Sequence, residues 1–303
     1  MRQGSLDWST DGVDWPLREH SRFVEVDGHR FHVQQLGDAG PGILLLHGAG
    51  ASTHSFRDFA PYLARWARVV VPDLPGHAFS RPPRDFGYRL PDMARALGRL
   101  LEVLGVRVDV LVGHSAGAAI GLQAVLSGRL RPAGIVAMNP ALVPFRGPAA
   151  VLFPVLARVG ARSGWARQAV GLTGRSSAWV RRTLEGTGSR LDARGIELYR
   201  RLAASADHVE GTIRMMAAWD LRGFADRLGR IDTPVDVLAG ARDRAVPLAR
   251  IRAVKRAAPR FEVTVVARVG HLGHEEQPRA FADRVAASAA ARLPDLDDPR
   301  PRA

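Results

Sequence analysis

The pentapeptide Gly113-His114-Ser115-Ala116-Gly117 follows the apolar run Val108, Val110, Leu111 and Val112 and leads directly into Ala118-Ala119-Ile120-Gly121. The chain must therefore pass from a strand through a very tight turn into a helix. A serine in such a turn takes up a strained backbone conformation that lifts its hydroxyl clear of the sheet, and side chains two positions to either side would strike neighbouring backbone. Only very small residues fit at those flanking positions. The string is short enough to arise by chance, so residues elsewhere must complete a site.

A serine hydroxyl is a poor nucleophile at neutral pH. It needs an imidazole to take its proton and a carboxylate to fix the imidazole's tautomer and stabilise its cation. After a turn of this kind the partners follow in the order serine, acid, histidine. Asp243 lies in Ala241-Arg242-Asp243-Arg244, just after the strand-like Val235, Val237 and Leu238, and His271 lies in Val269-Gly270-His271-Leu272 after the strand-like residues 261–267. Asp220, Asp232 and Asp236 follow strand ends less cleanly, and Asp243 also suits a turn carboxylate capping the helix that starts near Pro247. His274 stands where the last helix begins and reads as a capping or supporting residue.

A developing oxyanion needs backbone donors, and losing one typically lowers the rate by about 10² to 10³. The buried-strand run Ile43-Leu44-Leu45-Leu46 ends in His47-Gly48-Ala49-Gly50, whose small residues admit a substrate oxygen. The expected donors are the amides of Ala49 and Ala116, with Gly50 as the alternative to Ala49. His47, His77 and His114 read as loop-ordering residues. No His, Asp or Glu group has metal-ligand spacing and the chain has no cysteine, so neither a metal nor another cofactor is expected.

At 303 residues with 46% apolar content the chain can bury one large α/β core carrying an insertion. Strand patterns fall at residues 23–26, 31–35, 43–47, 69–71, 108–112, 135–138, 235–238 and 261–267. Helical patterns fall at 56–66, 90–104, 116–126, 248–258 and 277–291. This alternation predicts a mostly parallel central sheet flanked by helices, with ligands at the carboxyl ends of its strands. Residues 140–232 interrupt it with helical patterns at 192–205 and 208–219, which predicts a helical cap between core segments 1–139 and 233–293 and leaves 294–303 as a disordered tail. Phe145, Phe153, Trp165, Trp179, Met215, Met216 and Trp219 could line an apolar pocket under that cap, beside His47, Gly48, Gly50 and His114. Each of these apolar residues alone suits ordinary packing as well.

The formal charge is +13, and Lys255 is the only lysine. Residues 140–232 hold fifteen arginines against eight acidic residues, a surplus that would attract an anionic substrate or an acidic membrane surface and equally suits a solvated helical face. No nucleic-acid-binding motif accompanies the charge, so nucleic acid is not an expected partner. The N-terminus has no signal-peptide pattern and no run reaches the length of a membrane span, which predicts a cytoplasmic protein.

With these residues in place the chain resembles the α/β-hydrolase superfamily. Within it, it is similar to the magnesium-chelatase accessory protein family of bacteriochlorophyll biosynthesis. The likeness extends over residues 14–290 and is carried by Asp14-Trp15-Pro16, Ser21-Arg22-Phe23-Val24-Glu25, HGAGASTHSF at 47–56, Val143-Pro144-Phe145-Arg146-Gly147, EGTGSRLDA at 185–193 and Met215-Met216-Ala217-Ala218-Trp219-Asp220-Leu221. Ala49 stands where that family often has threonine and Ala78 where glycine is usual. The resemblance implies a hydrolase acting on an ester of the tetrapyrrole pathway, with a small, anionic substrate. As the alternative it suggests a non-catalytic accessory protein that binds a porphyrin or magnesium chelatase, and the pathway together with the basic cap implies a loose, peripheral association with the photosynthetic membrane. Cofactor-free haloperoxidase-like or C–C bond hydrolase chemistry could use the same residues. Chemistry through an aspartate nucleophile is disfavoured by Ser115.

Overall fold

Three five-residue strands made wholly of buried residues form the middle of the protein, Gly42–Leu46, Val110–His114 and Gly134–Met138. In a computed structural model, which describes residues 4–144 and 175–293, they belong to one eight-stranded sheet in the order β1-β2-β4-β3-β5-β6-β7-β8. The strands are β1 Ser21–Val26, β2 His29–Leu36, β3 Gly42–Leu46, β4 Arg68–Pro72, β5 Val110–His114, β6 Gly134–Met138, β7 Val235–Gly240 and β8 Glu262–Val266. β1 and β2 pair antiparallel, as do β2 and β4, and every other pairing is parallel.

Parallel strands need crossover helices, which cover both faces and account for the unbroken apolar runs. Among the described residues the helices are α1 Ala60–Ala64, α2 Leu90–Leu104, α3 Ala116–Leu126, α4 Ser177–Gly186, α5 Ala193–Ala204, α6 Ala206–Ala218, α7 Phe224–Leu228, α8 Leu248–Ala257, α9 Gly273–Glu276 and α10 Pro278–Ala290. Alternation along each strand divides the core. Leu44, Leu46, Leu111, Ile135, Ala137 and Val237 face α2, α3, α7 and α8, whereas Ile43, Leu45, Val110, Val112, Val136 and Met138 face α1 and α10. Fully burying one such leucine or isoleucine stabilises the fold by about 1.5–3 kcal/mol.

Local signals fix most element ends. α2 opens with Pro91 in its first turn and stops at Gly105, whose φ of 62° is the left-handed conformation glycine tolerates. α5 begins at the cap Asp192, whose carboxylate accepts from the Gly195 amide, and gives way at Ser205, whose hydroxyl caps α6. Three expectations shift. The pattern at 56–66 becomes a 3₁₀ turn, Thr53–Phe56, followed by α1, which starts where Pro61 occupies the first turn. The pattern at 277–291 is α10, with the separate short α9 before it. The strand expected at 108–112 is β5, two residues later, because Val110 opens the pairing with Ile43 while the Asp109 carboxylate accepts from the Gly42 amide.

Between β6 and β7 the described residues form α4 to α7 and no strand. Phe145, Phe153, Trp165 and the tail 294–303 lie outside the described residues.

Candidate active site

The turn after β5 has the strain its composition demands. Ser115 has φ 51° and ψ −114°, outside the regions ordinary residues occupy, and it immediately precedes α3. A Cβ at Gly113 would lie 2.5 Å from the Ala118 Cα, and one at Gly117 only 2.3 Å from the Leu46 carbonyl oxygen. The two glycines thus let the helix start pack backbone to backbone against the turn and β3. From Val110 to Ala124 only Ser115 is partly exposed, so the turn opens the serine to solvent and little else.

The chain brings Ser115, His271 and Asp243 together from three different strand ends. His271 Nε2 lies 3.0 Å from Ser115 Oγ, and its Nδ1 lies 2.8 Å from Asp243 Oδ2. The Asp243 side chain is almost wholly buried, and its other oxygen accepts from the amides of Ala245 and Val246 at 2.8 Å each. Asp243 thus braces the turn before the helix at Leu248–Ala257 without capping that helix, whose N-cap Pro247 receives no side-chain bond, and the two turn amides hinder the carboxylate from rotating.

The loop after β3 reaches the serine. A Cβ at Gly48 would stand 2.9 Å from His114 Nδ1 and 3.1 Å from the Ser115 Cβ, so glycine lets the loop approach without displacing either. Ala49 is exposed and the adjacent Gly50 has φ 75°. Ala116 is the first residue of α3, so its amide has no partner within the helix and points out of the helix start. His47 is fully buried, its Nδ1 bound to the Gly48 carbonyl at 2.8 Å and its Nε2 accepting from the Leu74 amide at 2.9 Å. Both nitrogens are engaged within the protein, as a loop-pinning residue requires.

Every histidine except His20 is buried. Burial holds His47, His54, His77 and His114 below the usual imidazole range, and pushes His208 down to about 4 and His274 down to about 3. Held down in this way, these rings are neutral at pH 7. His114 Nε2 donates to the His271 carbonyl at 2.9 Å, with the two rings 4.8 Å apart, and His274 Nε2 is bound to Ser55 Oγ at 2.8 Å. His208, on α6, accepts from the Ala78 amide at 3.0 Å and donates to the Gly50 carbonyl at 3.2 Å, tying that helix to the loop after β3. Among the described residues no group of His, Cys, Asp or Glu is arranged to hold a metal ion.

Several residues that order the site carry no local signal. Asn139 follows β6 with φ 45°, a conformation asparagine tolerates, and its Nδ2 faces Asp243 Oδ2 at 2.8 Å and the carbonyls of Gly270 and His271 at 2.8 and 3.1 Å. Glu275 is buried and accepts from Ser55, Arg57 and Tyr199 at 2.8 Å each. Burial raises its pKa while Arg57 opposes the shift.

Of the apolar residues expected to line a pocket, the four described ones take different places. Met215 is fully buried in the core with Trp219 packed against the same cluster, Met216 is partly buried, and Trp179 lies on α4 at 38% exposure. Of the basic residues of this region, Arg200 pairs with Glu197 and Arg201 with both Glu197 and Asp14, whereas Arg181 and Arg182 are exposed. No helix among the described residues is long and apolar enough to cross a membrane.

A mostly parallel eight-stranded sheet with a strained serine on the turn after β5 defines a protein of α/β-hydrolase architecture. The family model described as alpha/beta hydrolase fold matches residues 41–278, and the chain belongs to that family. It is 40% identical over 267 residues to the magnesium-chelatase 30 kDa subunit of Rhodobacter capsulatus, covering 87% of this chain and 92% of the relative. Among solved structures it is similar to an alpha/beta hydrolase fold protein from Burkholderia ambifaria, with TM-score 0.72, 25% identity and coverage of 88% of this chain and 100% of that one. An esterase from Exiguobacterium antarcticum shares the fold with TM-score 0.71 at 18% identity, over 88% of this chain and 98% of that one.

Proposed function

We propose that the protein is a serine hydrolase that cleaves an ester bond through Ser115, His271 and Asp243. The observation that carries this reading is the 3.0 Å approach of His271 Nε2 to the hydroxyl of a serine held at positive φ. In the first half-reaction Ser115 Oγ attacks the ester carbonyl as its proton passes to His271 Nε2. The oxygen charge that develops is met by the amides of Ala49 and Ala116. Collapse of the tetrahedral intermediate expels the alcohol, which takes its proton from His271, and leaves an acyl-serine. Water, deprotonated by the same nitrogen, attacks that ester and releases the acid, and Ser115 recovers its proton. Asp243 holds the imidazole in the tautomer with its proton on Nδ1 and stabilises the transient cation.

The proposed substrate class is supported by the 40% identical relative, whose name places it with magnesium chelatase. An ester of the bacteriochlorophyll pathway, carried on an anionic tetrapyrrole, is the reading that unites that setting with the arginine-rich 140–232 segment. The relative's name also supports a second reading, in which the chain is a non-catalytic partner of the chelatase, working peripherally to the membrane.

Two experiments decide. A fluorophosphonate probe is expected to label the wild type and to leave Ser115→Ala unlabelled. In a strain lacking the gene, a Ser115→Ala copy is expected to accumulate as folded protein and fail to restore the pigment profile. Full restoration by Ser115→Ala would overturn the catalytic reading. Impairment by Arg181→Glu together with Arg182→Glu, with Ser115→Ala fully competent, would establish the partner reading instead, since those side chains are exposed and available for recognition.

A further inference from the structure

The EGTGSRLDA segment that carries much of the family likeness joins α4 to α5, and its central reversal lies directly on the two loops that hold Asp243 and His271. The Thr187 carbonyl accepts from the Arg244 amide at 3.0 Å. Gly188 has φ 91°, and a Cβ there would stand 1.9 Å from the Arg242 carbonyl oxygen. A Cβ at Gly270 would in turn stand 2.2 Å from the Gly188 carbonyl carbon and 2.4 Å from the Ser189 nitrogen. Ser189 is fully buried, and its hydroxyl accepts from the Leu272 amide at 2.8 Å. Three consecutive residues therefore touch both neighbours of the acid, Arg242 and Arg244, and both neighbours of the base, Gly270 and Leu272.

Asp243 and His271 stand on loops after different strands, β7 and β8, and the 2.8 Å contact between them depends on how those loops sit. The acid's loop is tied to the sheet by the Asp243 amide on the Gly240 carbonyl and the Ala241 amide on the Val266 carbonyl, and to the base's loop by the Arg242 amide on the Val269 carbonyl. Asn139 bridges them through Asp243 Oδ2 and the Gly270 carbonyl, and the reversal at 187–189 packs on both from the segment between α4 and α5. Gly188 and the facing Gly270 matter for a specific reason. Backbone-to-backbone packing leaves no flexible side chain to absorb a displacement, so a shift of the reversal is transmitted to the loops without loss.

We infer that Thr187-Gly188-Ser189 is a positioning element for the Asp243–His271 pair: it sets the base at its distance from the serine and touches neither substrate nor reacting atoms. The inference rests on the esterase reading only for its kinetic consequence, because the Asp243–His271 geometry exists whether or not an ester is turned over. A displacement of about 1 Å in such a constellation is enough to lower a rate by about 10²-fold.

The test compares Ser189→Ala and Gly188→Ala with Gly105→Ala in the full-length protein. Gly105 also has positive φ, at 62°, yet a Cβ there meets nothing within 4 Å, so its alanine variant carries the backbone strain alone. Two quantities are read: the rate of fluorophosphonate labelling, with kcat and KM on a p-nitrophenyl ester, and the low-field proton resonance of the His271 Nδ1–H bound to Asp243. Ser189→Ala, which removes only the acceptor for the Leu272 amide, is expected to slow labelling and kcat by about 10- to 100-fold with KM unchanged, and to broaden or shift the low-field resonance. Gly188→Ala is expected to do so more severely, and Gly105→Ala to do neither. If Gly188→Ala fails to fold, Ser189→Ala decides. Wild-type labelling rates and an unmoved resonance in Ser189→Ala would overturn the inference. A wild type that shows the resonance but neither labels nor cleaves the ester would overturn the esterase reading alone, and the resonance in Ser189→Ala would still decide the positioning role.

Discussion

Asn139 Nδ2 lies 2.8 Å from Asp243 Oδ2, the same oxygen that meets His271 Nδ1. One amide at the end of β6 thus joins the carboxylate to the loop bearing the base, and its own oxygen accepts from the Gly240 amide at 3.1 Å. Every polar atom of this buried side chain is engaged, and such a network fixes geometry only while it is complete.

Asn139→Ala is expected to leave carbonyls and a carboxylate oxygen short of a donor and to lower stability by about 1–3 kcal/mol. Fluorophosphonate labelling of the folded variant should slow by at least tenfold, measured beside a urea titration. A variant as stable and as quickly labelled as the wild type would show that Asn139 does not organise the pair.

Ser115→Gly separates strain from chemistry. The backbone at φ 51° and ψ −114° is one glycine adopts with little strain, so relief is expected to raise stability by about 1 kcal/mol while labelling disappears. Calorimetric melting of the variant against wild type gives the sign. A lowered melting temperature would mean that the turn stores no strain.

Acid sensitivity should set in above the carboxylate range. His208 and His274 have folded pKa values pushed down to about 4 and about 3 from an ordinary 6.5. Below pH 6.5 the unfolded chain therefore binds protons that the folded chain refuses. Their contribution to stability is fully present above pH 6.5 and is lost as the pH falls toward those lower values. The urea midpoint is expected to decline steadily from pH 7 to pH 5, and a midpoint that stays level over that interval would contradict the buried neutral histidines.

The buried pair of Arg57 and Glu275, 2.8 Å apart with side chains 6% and 0% exposed, gives the fourth prediction. Arg57→Met is expected to lower stability by about 3–5 kcal/mol, because Glu275 would remain buried with only Ser55 and Tyr199 to solvate it. Replacing the acid as well, with Glu275→Gln, should recover part of the loss. A urea titration of the single and double variants checks both statements, and additive losses would refute the coupling.

The residues that the amino-acid sequence determined by itself are those whose constraint is local. The apolar runs of β3, β5 and β6, the glycine that stops α2, the capping Asp192 and Ser205, and the small residues flanking Ser115 each declare their structure within a few positions, because periodicity, capping and turn sterics act over that distance. Asp243 and His271 were legible for a related reason, as polar residues in short loops directly after apolar strands. The helical pattern at 56–66 does not form one helix, because Pro61 places the start of α1 and a separate 3₁₀ turn precedes it. Tertiary structure alone decided what holds these residues in place. Asn139, Ser189 and Glu275 act across separations of more than eighty residues, and Gly188 acts by letting two backbones touch. Such contacts depend on how strands and helices stack, and a residue that serves by what it approaches, or by the side chain it lacks, leaves no mark in its own neighbourhood of the chain.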